Sequence, residues 1–244
     1  MTRPAETLRV ATYNVHGCIG TDGRHDPDRV AAVVGELDAD VVALQEFTYP
    51  ASVAIESRAP VELVLDRYQC ALGPTRQVAA RCFGNAVLAR HPIVDVHRID
   101  LSMDRREPRG ALATTIDVGG TPVHLLATHL GLRVGERRFQ VRQLLSYLDS
   151  VRHSLVVVLG DFNDWLPGRS AAHVLDRRLG AAARLRSFPS SRPVLPLDRI
   201  WIDPVSTLRR TFVHKSPLAR RASDHLPVAA DLDLRPATIA SNSR

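Results

Sequence analysis

Residues Val156-Val157-Val158-Leu159-Gly160-Asp161-Phe162-Asn163-Asp164 constrain the fold more than any other stretch of this chain. A run of aliphatic, mostly β-branched side chains bounded by a turn signal predicts a strand covered on both faces. The run ends in a glycine, then a carboxylate and a carboxamide two positions apart. Alternate strand residues point the same way, so Asp161 and Asn163 can emerge together at its end. Nothing about packing requires an acid there.

The same grammar recurs along the chain. Arg9–Val15 predicts a strand, Asp28–Leu37 a helix, and Asp40–Phe47 a buried strand carrying Gln45-Glu46 near its end. Later, Val123–His129 predicts a strand, Glu136–Arg152 a helix, and Leu155–Asn163 the buried strand described above. Both halves end strands in polar residues: Asn14 and Glu46 in one, His129 and Asp161 in the other. Asp26-Pro27 gives the first helix a capping acid and a first-turn proline. Phe139, Val141, Leu144, Leu145 and Leu148 recur at helical spacing and give the second helix one apolar stripe. Further strands are expected at Asn85–Arg90, Val94–Leu101, Ala111–Val118, Asp198–Ile202, Thr207–Val213 and Val228–Leu234. Many strands with few helices between them imply an α+β fold of two packed sheets with helices outside, not one doubly wound sheet.

The 244 residues suit a single domain, expected over 8–235 between loose ends at 1–7 and 236–244. No apolar segment approaches the ~20 residues of a spanning helix. Met1 to Leu8 lacks the apolar stretch of a secretory signal, so a cytoplasmic location is expected. Cys18, Cys70 and Cys82 are odd in number and lack CxxC spacing, which argues against a disulfide framework or a structural zinc site. Cys70 and Cys82 are expected as core hydrophobes and Cys18, near a strand end, as more exposed. A net charge of +6, carried by arginine with Lys215 the only lysine, favours anionic partners: nucleic acid, acidic headgroups or phosphorylated metabolites. The arginines are scattered in short doublets, so charge alone names no substrate. Gly17, Gly20 and Gly23 are loop glycines and form no dinucleotide fingerprint.

Phosphoester hydrolysis needs a cation on the phosphate oxygens, an activated water, and donors for the charge that develops in flight. Hard cations such as magnesium take carboxylate oxygens. Glu46, Asp161 and Asp224 are the acids best placed for this, and histidines beside acids suit proton transfer. Taken singly, each residue has an ordinary structural role. Asn14 could be a turn residue, Glu46 a solvated strand end, His129 a core histidine, and Asp161 with Asn163 a strand cap. Trp165 and Trp201 could line a cleft or simply pack. The ordered recurrence of the whole set carries the functional reading.

That set lies in Thr12-Tyr13-Asn14-Val15-His16-Gly17, Leu44-Gln45-Glu46, Arg106-Glu107-Pro108-Arg109-Gly110, Thr128-His129-Leu130, Gly160-Asp161-Phe162-Asn163, Leu197-Asp198-Arg199-Ile200 and Ser223-Asp224-His225-Leu226-Pro227. At these residues the sequence resembles the endonuclease/exonuclease/phosphatase superfamily, the DNase I-like metal-dependent phosphoesterases. The resemblance runs in order over about residues 8–234. It implies a four-layer α/β/β/α sandwich, two mixed sheets flanked by helices, and divalent-metal-dependent hydrolysis by in-line attack of an activated water.

The resemblance also implies roles. Glu46 matches the principal magnesium ligand (manganese being the alternative ion), with Asn14 beside it and Asp224 near the metal. Asp161 matches the residue that orients or deprotonates the water, and Asn163 its transition-state-stabilising partner. His225 matches the signature histidine steered by Asp198, and His129 the second histidine, oriented by Glu107. Arg109 stands where a cation could contact phosphate, and Asn85, in Cys82-Phe83-Gly84-Asn85-Ala86, where an amide could. The substrate classes implied are nucleic acid, slightly ahead, then lipid or inositol phosphates. The reading from another class is a catalytically idle module that grips polyanions.

Overall fold

Alternation along the strands decides the layering. The computed structural model describes residues 6–52, 67–152, 154–166 and 170–235. The expected ends, 1–7 and 236–244, and His153 lie almost wholly outside the described residues. In β1 (Thr7–Asn14), Leu8 and Val10 join one apolar cluster while Ala11 and Tyr13 join another. In β2 (Val41–Pro50), Val41 and Ala43 alternate with Val42 and Leu44 in the same manner. One face of this sheet therefore meets a second sheet and the other meets helices.

The first sheet adds β3 (Gln69–Val78), β4 (Arg81–Ala89), β10 (Leu208–Val213) and β11 (Val228–Asp233), in the order β10-β11-β1-β2-β4-β3. The second runs β5-β6-β7-β8-β9, from β5 (Ile93–Asp100), β6 (Gly110–Val118), β7 (Thr121–His129), β8 (Val156–Asp161) and β9 (Asp198–Asp203). Helices α1 (Pro27–Leu37) and α4 (Pro217–Ala222) cover the outer face of the first sheet through Val30, Val33, Val34 and Ala219. Helices α2 (Val134–Ser150) and α3 (His173–Leu179) cover the second through Val141, Leu144, Leu148 and Leu175. The result is the expected sandwich of two mixed sheets flanked by helices.

The echo between the halves is a shared pairing. β1 and β2 are parallel with α1 between them, as are β7 and β8 with α2 between them. Their registers end on Asn14 opposite Gln45 and on His129 opposite Asp161, so both parallel pairs deliver polar groups at the same kind of strand end. Strand β8 is covered on both faces: Val157 and Leu159 enter the inter-sheet core, while Val158 packs under the helices. Gly160 does not end it. A Cβ there would lie 1.9 Å from the Thr128 carbonyl oxygen, so the glycine permits the close approach that sets His129 against Asp161.

Several local expectations need correction. The sequence reading gives no strand at β3, because Gly73 and Pro74 interrupt it; β3 is an edge strand whose ladder to β4 is irregular between Pro74 and Arg76. The short helices α3 and α4 also carry too few apolar positions to show a period. The cysteine expectation is reversed: Cys18 is buried, whereas Cys70 and Cys82 are half-buried, and none of the three forms a disulfide. Cys18 lies in a helical turn, His16–Cys18, that packs into the core beside α1, while Cys70 and Cys82 sit on the peripheral β3–β4 pair. In α1, the Asp26 carboxylate accepts the Arg29 N–H at 3.0 Å and Pro27 occupies the first turn, as expected.

Candidate active site

The site forms where the ends of β1, β2, β7 and β8 meet the start of β9 and the turn before β11. Two of its residues have a left-handed backbone, Glu46 (φ 52°) and Asn163 (φ 49°). That conformation is costly for a residue with a Cβ and is concentrated at functional sites. Glu46 lies in a bulge of β2: Leu44 pairs with Ala86 and Phe47 with Gly84, so Gln45 and Glu46 together oppose one residue of β4. Gln45 is buried, where its side-chain oxygen accepts from Thr12, and the Glu46 side chain, 38% exposed, is left lining the cleft.

One carboxylate oxygen organises the floor. Asp161 Oδ2 accepts from Asn14 Nδ2 at 3.0 Å and has His129 Nε2 at 3.6 Å and His225 Nε2 at 3.7 Å. Its Oδ1 accepts the Asn163 N–H at 2.9 Å. The same Asn14 amide nitrogen donates to Glu46 Oε1 at 3.0 Å, while Asn14 Oδ1 accepts the His16 N–H. Asn14 therefore faces the acids with N–H groups and offers a cation no oxygen. Ser223 Oγ donates to the Asn14 carbonyl and accepts the His225 N–H, joining the first and last parts of the site.

The two histidines stand in opposite electrostatic settings. His225 Nδ1 lies 2.9 Å from Asp198 Oδ2, which also accepts from Ser187 Oγ. Burial opposes a charge on His225, but Asp198 and Asp161 outweigh it and push its pKa up to about 10. Burial lowers His129 to about 3; Asp161 opposes this, and Arg109 adds to it. Arg109 donates from its guanidinium toward His129 Nδ1 at 3.1 Å and to Glu107 Oε2 at 2.8 Å. A guanidinium and an amide nitrogen only donate, and a neutral imidazole accepts at one nitrogen; the charged Arg109 takes Nδ1, so Nε2 carries the proton and accepts nothing from the Asn163 amide nitrogen 3.1 Å away.

Asn14, Glu46, His129, Asp161, Asn163 and His225 are thus brought together, with Asp198 beneath them. Glu107 lines the cleft but does not reach His129; Arg109 stands between the two. Asn85 is buried, and its side-chain nitrogen donates to the Gly110 carbonyl at 2.9 Å, tying the two sheets together at the cleft wall. Asp224 is not among the residues lining the cleft, and its carboxylate lies 3.8 Å from His16 Nδ1. Trp165 lines the cleft, whereas Trp201 is buried with its ring 4.5 Å from that of Phe162.

Residues that sequence reasoning missed lie behind the site. Arg137, Asp164 and Arg199 are fully buried. Arg137 donates to the carbonyls of Gly131 and Leu132 and approaches Asp164, while Arg199 holds the Asp164 carbonyl. These bonds fix the segments that follow His129 and Asp161. The pattern gave one signal for them, three polar residues (Glu136, Arg137 and Gln140) at helical spacing opposite the exposed face of α2.

For a hard divalent cation the donor set is Glu46 with Asp161. Their oxygens converge on a single amide nitrogen, which leaves two carboxylates together among the residues that line the cleft. Asp161, Asp198 and His225 also place one donor atom each within 4.8 Å of one another. There the imidazole bonds Asp198 directly and is held in its charged form, so this trio suits a hydrogen-bonded relay better than a cation.

The comparisons agree with this fold. The model of the Endonuclease/Exonuclease/phosphatase family matches residues 11–225. Protein YbhP of Escherichia coli (strain K12) is 32% identical over 93% of this chain and 97% of its own. An endonuclease/exonuclease/phosphatase from Beutenbergia cavernae DSM 12333 superposes with a TM-score of 0.73 at 27% identity, covering 94% of this chain and 72% of that one. The mannosyl-6-phosphatase Bt3783 of Bacteroides thetaiotaomicron VPI-5482 shares the fold, with a TM-score of 0.69 at 17% identity over 91% of this chain and 98% of that one. The chain belongs to the endonuclease/exonuclease/phosphatase family, a family of phosphoesterases.

Proposed function

We propose that the protein is a divalent-metal-dependent phosphoester hydrolase that acts by in-line attack of water. The observation that carries this reading is the convergence of Asn14, His129 and His225 on one oxygen of Asp161, with Glu46 on the same amide. Glu46 and Asp161 would hold the cation, magnesium or manganese by the chemistry of the donors, which would supply Lewis-acid neutralisation of the phosphoryl oxygens. Asp161 holds the attacking water through the carboxylate edge that faces the cleft. His129, neutral with its proton on Nε2, donates to a non-bridging phosphoryl oxygen. His225, charged and anchored by Asp198, donates to the oxygen on which charge develops. Asn163 donates to the Leu130 carbonyl, which anchors its side chain beside the His129 ring.

The test is turnover of bis-p-nitrophenyl phosphate and p-nitrophenyl phosphate with and without magnesium. Activity lost to EDTA and to a folded Asp161→Ala protein supports the hydrolase. A folded wild-type protein inert on both, with metal present, supports the idle binding module instead.

A further inference from the structure

Beyond the reacting groups, part of the cleft wall is apolar, the rest carrying Thr75, Arg76, Asn85, Glu107 and Arg109. Leu132 follows His129 by three residues and is 66% exposed. Trp165 follows Asn163 by two, the Phe188 ring lies 4.8 Å from the His225 ring, and Leu195 lines the same cavity of about 530 Å³. Scattered exposed apolar residues are ordinary, but several converging on one reactive floor form the lining of a small-molecule site.

The cations tell the same story from the other side. A nucleic-acid site tracks successive phosphates with arginine and lysine. Among the residues that line this cleft, the arginines are Arg76 and Arg109, and both face Glu107. Much of the arginine excess sits elsewhere in ion pairs: Arg9 and Arg210 on Asp231, Arg29 and Arg221 on Asp22, Arg209 and Arg235 on Asp233.

We infer that the cleft takes a small phosphoester whose ester oxygen carries a compact apolar group, aryl or alkyl, and not a nucleic-acid strand. The inference rests on the phosphoesterase reading of the same site and names its substrate class. The apolar group lies against Leu132, Trp165, Phe188 and Leu195 while the phosphoryl oxygens face Glu46, His129 and His225. This chemistry occurs both in soluble phosphoesters and at the headgroup end of a phospholipid.

Binding of phosphonates, whose carbon–phosphorus bond this reaction does not cleave, tests it without turnover. Trp201 is 1% exposed, so a fluorescence change on titration reports Trp165. With magnesium present, hexylphosphonate and phenylphosphonate should bind about tenfold or more tighter than methylphosphonate, as burial of added apolar surface requires. Short oligothymidylate should bind more weakly than either. Leu132→Asp should reduce the hexyl-to-methyl ratio to about one. Val205→Asp, at an equally apolar site 57% exposed and outside the cleft lining, should leave the ratio unchanged. Equal binding of the three phosphonates, or tighter binding of oligothymidylate, overturns the inference. Monomeric dihexanoylphosphatidate bound more tightly than dioleoylphosphatidate vesicles assigns the soluble source, and the reverse order assigns the lipid surface. Turnover is measured separately. An active protein that fails to rank the phosphonates removes only the substrate class, and an inert protein that ranks them removes only the hydrolase.

Discussion

Arg109 presents its guanidinium to Nδ1 of His129 at 3.1 Å, and this contact fixes which ring nitrogen carries the proton. Burial comes first in lowering His129 to about 3, with Arg109 adding to it against Asp161. Nitrogen NMR of the imidazoles should show His129 neutral and protonated on Nε2 at neutral pH. In Arg109→Met the pKa should rise from about 3 toward the ordinary 6.5, because one like charge is gone while Asp161 remains. The neutral ring should then sample both tautomers, and turnover should fall ~10- to 100-fold through lost positioning. An unchanged tautomer in the variant would show that Arg109 does not set it.

Glu46→Gln separates cation binding from folding. The side chain is 38% exposed, accepts one bond from Asn14 and has His129 Nε2 4.0 Å away, so the urea midpoint should move little. Magnesium affinity measured by calorimetry should drop ~10- to 100-fold, with activity falling alongside it. Asp161→Asn should lose activity more completely, since the proposed mechanism gives Asp161 both the cation and the water and its Oδ2 lies within 3.7 Å of both histidines.

Arg137→Met should be the most destabilising of these substitutions. It leaves the buried Asp164 without its nearest cation and the carbonyls of Gly131 and Leu132 without a donor. Removing one partner of a buried pair costs ~3–5 kcal/mol. Equilibrium urea unfolding measures it, and recovery in a double variant with Asp164→Asn would show that the lone buried acid is the cause.

Acid stability should depend on the last strand. Arg235 first, and then Arg209, hold the Asp233 carboxyl down to about 2 from an ordinary 3.8. A depressed acid stabilises the fold fully above its unfolded value and loses that contribution as pH falls through the folded one. Wild-type stability should therefore fall between pH 3.8 and about 2, and Asp233→Asn should be less stable at neutral pH but flatter across that window. Urea midpoints taken at several pH values decide it.

The strands that carry the chemistry were legible because their polar ends interrupt otherwise apolar runs. Asp161 and Glu46 stand out for this reason, and so does His129. Other features depend on the third dimension. Arg109 separates Glu107 from His129 only because the turn before β6 folds that way. Asp224 neighbours His225 in sequence, yet its carboxylate lies 3.8 Å from the ring of His16, which lines the cleft. Gly160 reads as a terminator, but its reason is the Thr128 carbonyl on the adjacent strand. Arg137, Asp164 and Arg199 look like surface charges in sequence, and only the packing of α2 against the loops buries them together.

Strand β1 lies between β2, its near neighbour in sequence, and β11, from the far end of the fold. His225 arrives with the turn that leads into β11, and Ser223 reaches back to the Asn14 carbonyl. A nascent chain emerging from the ribosome thus carries Asn14, Glu46, His129 and Asp161 long before it acquires the charged histidine. The polar cluster is complete only when the first sheet closes, so an interrupted translation product that stops short of Ser223 holds four of its members without the histidine that Asp198 anchors.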